Sequence, residues 1–342
     1  MLHLLSLPKR IGKTTWLTEG WAGRPGVAGC LTPDRDGKRV AVLLSTGQEL
    51  PLEAENGEVQ VGRFRFLRST LEAMSVECEQ AAERPEVRTL LIDEIGPLEL
   101  NTSDGMRFDA ALHAARERPV DVLLVIRESL REAAVARWDL AGATVNAPQW
   151  FRPVAPPVGV VLAGGESRRM GRDKAWIDRG EGPAFAAAAR LLAEAIQGCW
   201  GTAEVVVSGR PGMTYGGREA WADAPEWAGH GPAGGVLTAA MRRPGRALLV
   251  VGTDYPGLQR AAIDRLLAVY RISGRSACFA SEAGGPEPLV ALYTGEALEA
   301  FSREVQAGQD SLRRFIASAA AESHAVVLPF DASLGIVSVD VP

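Results

Sequence analysis

The chain has only four cysteines in 342 residues, and Cys30, Cys78, Cys199 and Cys278 stand far apart with no CxxC pair among them. This spacing excludes a zinc ribbon or a disulfide framework and suits a reducing compartment, so four buried thiols in a cytoplasmic chain are expected. Histidine is equally scarce. His3, His113, His230 and His324 are isolated in sequence, with no carboxylate or cysteine at metal-ligand spacing; His230, beside a glycine turn, either lines a pocket or faces solvent. No apolar run approaches the roughly 20 residues that span a bilayer, and MLHLLSLPKR carries its charges after its apolar stretch, the reverse of a secretory signal. No membrane partner is expected. Long basic runs are missing too, and with a net charge of -5 the arginines are scattered or confined to particular loops, which removes nucleic acid as a partner. Aromatics make up 6%. Trp16, Trp138, Trp150, Trp176 and Trp200 are expected as packing anchors rather than a base-stacking platform.

What remains is the composition of ordinary packed cores, 46% hydrophobic, in a chain long enough for two domains. Apolar runs ending in glycine or acidic residues alternate with alanine- and leucine-rich stretches at helical spacing, the pattern of strand-helix-strand units around a mostly parallel sheet. That pattern starts twice. Between the halves lies APQWFRPVAPP, whose prolines favour an extended connector. The expected organisation is a first domain over residues 1–146, a linker over 147–157 and a second domain over 158–342, each domain α/β with three layers, α/β/α.

In the second half, VGVVLAGG (158–165) is a strand running into a loop and a helix start, which gathers backbone N–H groups and the positive end of a helix at one point. Gly164 and Gly165 let a ligand approach the backbone. Arg168, Arg169, Arg172 and Lys174 follow, and such cations suit phosphate oxygens. A triphosphate fits that point. Asp254, after the apolar run LLVV and a turn, would emerge at the carboxyl end of a strand, where ligands sit in open α/β sheets and where a hard oxygen suits magnesium. A turn cap is its other role. Asp223, in WADAPEW, reads equally as a helix or turn cap.

The string LAGGESRRMGRDKA closely resembles the signature of the molybdenum cofactor guanylyltransferases, the MobA family of nucleotidyltransferases. VVVSGR (205–210), Asp223 ahead of GHGPAGG (229–235), LLVVGTDYPGL (248–258), EPLVALY (287–293) and QDSLRRFI (309–316) follow in the family's order, so the resemblance covers essentially all of 158–342. It implies a Rossmann-like nucleotidyltransferase in which the terminal phosphate of molybdopterin, with or without molybdenum, attacks the α-phosphorus of GTP and expels pyrophosphate. It further implies that Leu162, Ala163, Gly164, Gly165 and Lys174 bind GTP, that Asp223 contacts the base, and that Arg169 and Lys174 neutralise the phosphates. Asp254 then anchors Mg2+, with Asp340 as a second metal ligand. LAGG, as opposed to LAAG, resembles the guanylyl rather than the cytidylyl branch. Two departures stand out: Arg210 replaces an asparagine after the second strand, and Ser338 and Asp340 of SVDVP occupy the asparagine positions of the family's closing motif. The family's closing helix does not follow Pro342, which puts base recognition and acceptor binding in question.

The first half opens with the same device, LHLLSLPKRIGKTTWL (2–17), containing Gly12, Lys13, Thr14 and Thr15, the second half of a Walker A loop, with Leu7 where the leading glycine belongs and Pro8 removing a donor. TLLIDEIGPLEL (89–100) ends an apolar strand in Asp93 and Glu94, a Walker B arrangement. Together with VAGCLTPDRDGKRVAVLL and VGRFRFLRSTLEAM, these blocks resemble the THEP1-type P-loop nucleoside-triphosphatases over residues 2–146. The resemblance implies that Lys13 grips the β- and γ-phosphates of ATP or GTP, Thr14 contacts magnesium, Asp93 supports the metal and Glu94 is the base. Arg127 is either a phosphate sensor or a surface residue at a strand end. The whole reads as a guanylyltransferase fused to an NTPase-like module, with molybdoenzyme apoproteins or other cofactor-biosynthesis proteins as recipients. Cytidylyl or sugar-1-phosphate nucleotidyl transfer is the alternative within the class, and a nucleotide-binding regulatory or carrier protein the alternative outside it.

Overall fold

The computed structural model describes residues 1–9, 11–101, 105–164, 174–176, 182–212, 214–215 and 217–338. The chain divides into two compact units, Met1–Phe151 and Arg152–Pro342.

In the first unit, β1 (Leu2–Leu7), β2 (Val27–Leu31), β3 (Lys38–Leu43), β4 (Thr89–Ile95) and β5 (Asp121–Arg127) form the body of one sheet, with β1, β5, β4 and β2 parallel in that spatial order and β3 antiparallel at the flank. The helices are α1 (Lys13–Trp21), α2 (Arg68–Glu83) and α3 (Asp109–Glu117). The runs of β1, β4 and β5 are apolar at successive positions because both faces of a parallel sheet are covered. Thus Leu4, Ile92 and Leu124 join Met74 and Cys78 of α2 in one core, while Leu5, Leu91 and Leu123 are buried on the other face.

Glu77 shows how α2 is held to the sheet. Its buried carboxylate accepts the backbone N–H groups of Gly29 at 3.1 Å and Ser45 at 3.0 Å. Glu77→Ala strands these donors, at a cost of about 1–3 kcal/mol. Hydrogen exchange should show faster exchange in β2 and around Ser45, and unchanged protection there would contradict this account.

The segment expected as a linker opens with a 3-10 turn, Pro148–Trp150, and is bound down on both sides of the boundary. Trp150 is buried, its ring 4.7 Å from that of Trp21 and 5.5 Å from that of His3, and its carbonyl accepts Trp16 Nε1–H at 2.8 Å. Past the boundary, Arg152 donates to the carbonyls of Arg271 and Ile272, Val154 O accepts Trp200 Nε1–H, and Ala155 O accepts the Tyr270 hydroxyl. The division therefore falls between Phe151 and Arg152, because the aromatic residues are buried and side-chain donors use the carbonyls that prolines leave without a ladder. Cysteine burial also differs from expectation at one position. Cys199 is only half-buried, its sulfur 3.7 Å from Arg271 Nη1, whereas Cys30 and Cys78 bring their sulfurs to 3.9 Å inside the first core.

The second unit is built on β6 (Val158–Leu162), β7 (Glu204–Ser208), β8 (Leu248–Gly252), β9 (Ser276–Ala280), β10 (Pro286–Tyr293) and β11 (Ala325–Leu328), in the spatial order β7-β6-β8-β10-β9-β11. Strands β6, β7 and β8 are parallel, and β10 runs antiparallel to both β8 and β9. The helices are α4 (Ala184–Trp200), α5 (Pro232–Arg242), α6 (Arg260–Ser273), α7 (Gly295–Gln306) and α8 (Leu312–Ala321). Alternation along β6 sends Val158 and Val160 into the core shared with α5, α7 and α8. Gly159 faces α4, where an added Cβ would stand 3.2 Å from Leu192 Cβ, so the helix packs close to the sheet. Among the described residues no helix is long and apolar enough to cross a membrane.

Candidate functional site

The chain leaves β6 through α4 to β7 on one side, then returns through α5 to β8 on the other side of β6. Neighbouring strands whose connections depart in opposite directions open a crevice at their carboxyl ends, the place where such sheets bind ligands. The register sets Leu162 opposite both Ser208 and Gly252. Three segments therefore emerge at one edge: Ala163 and Gly164, Gly209 and Arg210, and Thr253 and Asp254.

Small residues make this edge accessible. Ala163 N–H donates to Ser208 O at 2.8 Å, and Gly164 is exposed, an added Cβ lying 3.4 Å from Gly209 Cα. The amino end of α5 arrives over Gly231, whose φ of 57° falls in the left-handed region. Its two glycines let it settle against the sheet. A Cβ on Gly235 would meet Ser208 Oγ at 2.6 Å and Leu162 Cδ2 at 3.0 Å, and one on Gly234 would meet Trp227 O at 2.4 Å and Asp223 Oδ2 at 2.8 Å. Asp223 thus stands beside a helix amino terminus, with burial pushing its carboxyl above the ordinary range.

Asp254 is half-buried in the turn after β8. Lys174 opens the short turn Lys174–Trp176, in which Ala175 is buried and the Trp176 ring packs edge-on against Phe185 at 5.1 Å. Gly165, Arg168, Arg169, Arg172 and Asp340 lie outside the described residues. The described chain nevertheless runs as far as Ser338 past a close crossing, where Gly335 (φ 67°) packs on the carbonyl of Gly257, three residues beyond Asp254. His230, read from sequence as isolated, has Asp310 Oδ2 at 3.4 Å from its Nδ1. Sequence reasoning also missed Ser208, Tyr255 and Glu287 at this end of the sheet; the one available signal was a glutamate heading the apolar run EPLVALY.

Among the described residues no group of three or more histidines, cysteines or carboxylates could hold a metal by itself. A single hard carboxylate suits a magnesium-type ion that takes its remaining ligands from substrate phosphates and water.

The first unit presents a second constellation. Gly12, in the left-handed region at φ 88°, caps α1, and Lys13 is buried with Nζ donating to Leu7 O at 3.1 Å and Pro8 O at 2.7 Å. Burial lowers the lysine's pKa, against the opposing pull of Glu94 and Asp93. Thr14 Oγ1–H donates to Asp93 Oδ2 at 2.7 Å, and Thr32, unremarked in the sequence, offers its backbone N–H to the same oxygen at 3.2 Å. Thr15 is exposed. Glu94 pairs with Arg127 at 3.1 Å, so Arg127 sits at this site and not on open surface. Asp93 and Glu94 fall within β4 at a register shift against β5, rather than simply ending the strand.

Asp93 is fully buried, its Oδ1 without a hydrogen-bond partner among the described residues, and burial raises its carboxyl pKa. A raised folded value means that ionisation opposes folding progressively as pH climbs from the ordinary carboxylate range, about 3.9, through the raised value. Asp93→Asn is therefore expected to raise the melting temperature of the free chain at pH 7, with an advantage that shrinks on acidification. A variant less stable at pH 7 would contradict this.

A family model of the MobA-like NTP transferase domain matches residues 159–326. The chain is 38% identical over 164 residues to a probable molybdenum cofactor guanylyltransferase of Opitutus terrae, covering 47% of this chain and 77% of that protein. It is 34% identical over 173 residues to the molybdenum cofactor guanylyltransferase of Xanthomonas euvesicatoria (46% and 80%), and 32% identical over 158 residues to a molybdenum cofactor biosynthesis bifunctional protein of Synechocystis (45% and 43%). Among solved structures it is similar to molybdopterin-guanine dinucleotide biosynthesis protein A of Archaeoglobus fulgidus, at 18% identity and TM-score 0.40 over 54% of this chain and 92% of that one. It is also similar to THEP1 of Aquifex aeolicus, at 18% identity and TM-score 0.34 over 42% and 88%. The strand order that brings Ala163 and Gly164, GPAGG and Asp254 to one edge and the identity across that same stretch agree: through its second half the chain belongs to the molybdenum cofactor guanylyltransferases of the MobA-like NTP transferase family.

Proposed function

We propose that the second unit transfers GMP from GTP to the terminal phosphate of molybdopterin, with or without its molybdenum, and releases pyrophosphate. The observation that carries this reading is the convergence of Ala163 and Gly164, the amino end of α5 with Asp223, and Asp254 at one crevice of the sheet. The acceptor phosphate oxygen forms the new bond to the α-phosphorus as the bond to the bridging oxygen of pyrophosphate breaks. No covalent enzyme intermediate is needed, so placement and charge stabilisation supply most of the catalysis.

In this proposal the backbone at Ala163, Gly164 and Gly165 passes close under the nucleotide. Arg169 and Lys174 neutralise the phosphates, the carboxyl of Asp223 accepts from the base, and Asp254 with Asp340 holds the divalent ion, Mg2+. The ion, when bound, offsets negative charge on the triphosphate. Competition between GTP and CTP tests the base preference: GTP displacing labelled GTP at least tenfold more effectively than CTP supports guanylyl transfer, and the reverse order moves the reading to cytidylyl transfer.

The first unit, in the same proposal, binds ATP or GTP with Gly12, Lys13, Thr14 and Thr15, and Asp93 and Glu94 serve its metal and attacking water. Lys13 is turned onto the carbonyls of Leu7 and Pro8, so a triphosphate must replace those acceptors before the lysine can grip it. This favours a regulatory nucleotide site as a second reading for this unit. Lys13→Ala should abolish one of two nucleotide-binding events while leaving the other, and a stoichiometry unchanged by the substitution would remove the first site.

A further inference from the structure

Arg127 closes β5, and its sequence allows it either to sense phosphate or to lie on the surface. Its position supports a different role. Arg127 Nε–H donates to Glu94 Oε1 at 3.1 Å, and the two side chains are only 22% and 17% exposed, so water screens the pair little. Glu94 needs such a partner because of how β4 runs here. Ile92 lies opposite Leu124 and Ile95 opposite Ile126, so β4 carries one extra residue across Asp93 and Glu94 relative to β5. A bulge of this kind takes residues out of the ladder and re-aims their side chains. Backbone pairing with β5 therefore does not set the direction of Glu94. Asp93, at the same bulge, is fixed by Thr14 and Thr32, and Glu94 is fixed by the guanidinium.

From this we infer that Arg127 is a positioning residue for Glu94: from the end of β5 it holds the carboxylate in the one orientation that meets the attacking water of the first unit. The inference rests on the proposed role of Glu94 toward that water. The parallel register sets Arg127 opposite Leu7, whose carbonyl accepts from Lys13 Nζ at 3.1 Å, so the guanidinium and the phosphate-gripping lysine belong to the same edge of the sheet. In hydrolysis the water oxygen bonds to the γ-phosphorus as the bond to the bridging oxygen of the nucleoside diphosphate breaks. The water's proton passes to Glu94 and on to the released phosphate. A carboxylate free to rotate would meet that water in a fraction of its orientations, and the ion pair to β5 removes the freedom. Arg127 touches neither water nor nucleotide in this account; it acts by limiting where Glu94 points.

The test measures phosphate release from ATP and from GTP with Mg2+ and no pterin, by full-length protein in a Lys174→Ala background so that the second unit does not contribute. Release that Lys13→Ala abolishes belongs to the first unit. Arg127→Ala should lower kcat about 30-fold, part of what a positioned general base contributes, while KM and the affinity for a non-hydrolysable triphosphate stay within about threefold. Arg127→Lys, which keeps a charged donor, should recover to within about fivefold of the parent. Glu94→Gln should lose at least as much as Arg127→Ala, and the double variant should be no slower than Glu94→Gln alone. Melting curves accompany each variant, and Arg127→Met, which keeps much of the reach and drops the charge, carries the test if Arg127→Ala does not fold.

Parent-like kcat in the folded Arg127 variants would overturn the inference, as would additive losses in the double variant. A loss confined to KM, with triphosphate binding weakened and diphosphate binding kept, would overturn it in favour of a phosphate sensor. A parent that hydrolyses while its Arg127 variants keep full kcat sinks the positioning role alone. A parent that binds triphosphate and releases no phosphate sinks the attacking-water reading of Glu94, and the positioning role with it.

Discussion

Replacing Asp254 by asparagine is expected to lower pyrophosphate release from GTP and molybdopterin by roughly 100- to 1,000-fold, the scale of removing one preorganised charge from a site that works by electrostatic stabilisation. Asparagine preserves the shape of the side chain and leaves the turn after β8 in place, so the loss reports charge and metal ligation rather than folding. Most of the effect should fall on kcat, since the charge of an ion held by Asp254 would matter most as charge develops on the leaving pyrophosphate. Rates at saturating GTP across a series of Mg2+ concentrations would show it. A fall of less than tenfold would mean that the ion is held elsewhere and that Asp254 is only the turn cap its sequence also allowed.

Gly234→Ala should be the most damaging small change at the site. The added methyl would stand 2.4 Å from the carbonyl oxygen of Trp227 and 2.8 Å from Asp223 Oδ2. A backbone oxygen cannot swing aside as a flexible side chain can, so the amino end of α5 must lift or the segment carrying Asp223 must retreat. Overpacking of this kind costs about 1–3 kcal/mol. Its functional cost is expected to be larger, because the same displacement moves Asp223 and the helix terminus away from the nucleotide together. Calorimetric titration with GTP should show affinity reduced at least tenfold, whereas Ala233→Gly, one residue earlier in the same turn, should change it less than threefold. Parent-like GTP binding by Gly234→Ala would mean that this helix end is not part of the site.

The features legible in the sequence were those encoded by contiguous residues. VVLAG declared the carboxyl end of a strand, and the apolar runs of β4, β5 and β8 declared strands covered on both faces. Gly12 and Lys13 announced a helix start, and a strand-helix pattern that begins twice suggested two domains. What escaped notice depends on pairings between distant segments. Cys30 and Cys78, remote in sequence, face each other because α2 crosses β2. Glu77 resembles an ordinary helix-surface residue until its acceptor role toward Gly29 and Ser45 is seen. Proline content marked a break in the strand-helix pattern over 147–157, but it could not reveal that Trp150 and Arg152 tie its two ends to different units.

The central claim is guanylyl transfer, and pyrophosphate release on mixing the full-length protein with Mg2+, GTP and molybdopterin tests it most directly, with Lys174→Ala alongside. The account predicts release that requires the pterin and falls at least 100-fold in the variant. Measurable GTP binding with no pterin-dependent release by the parent protein would contradict it and leave the second unit a nucleotide-binding carrier.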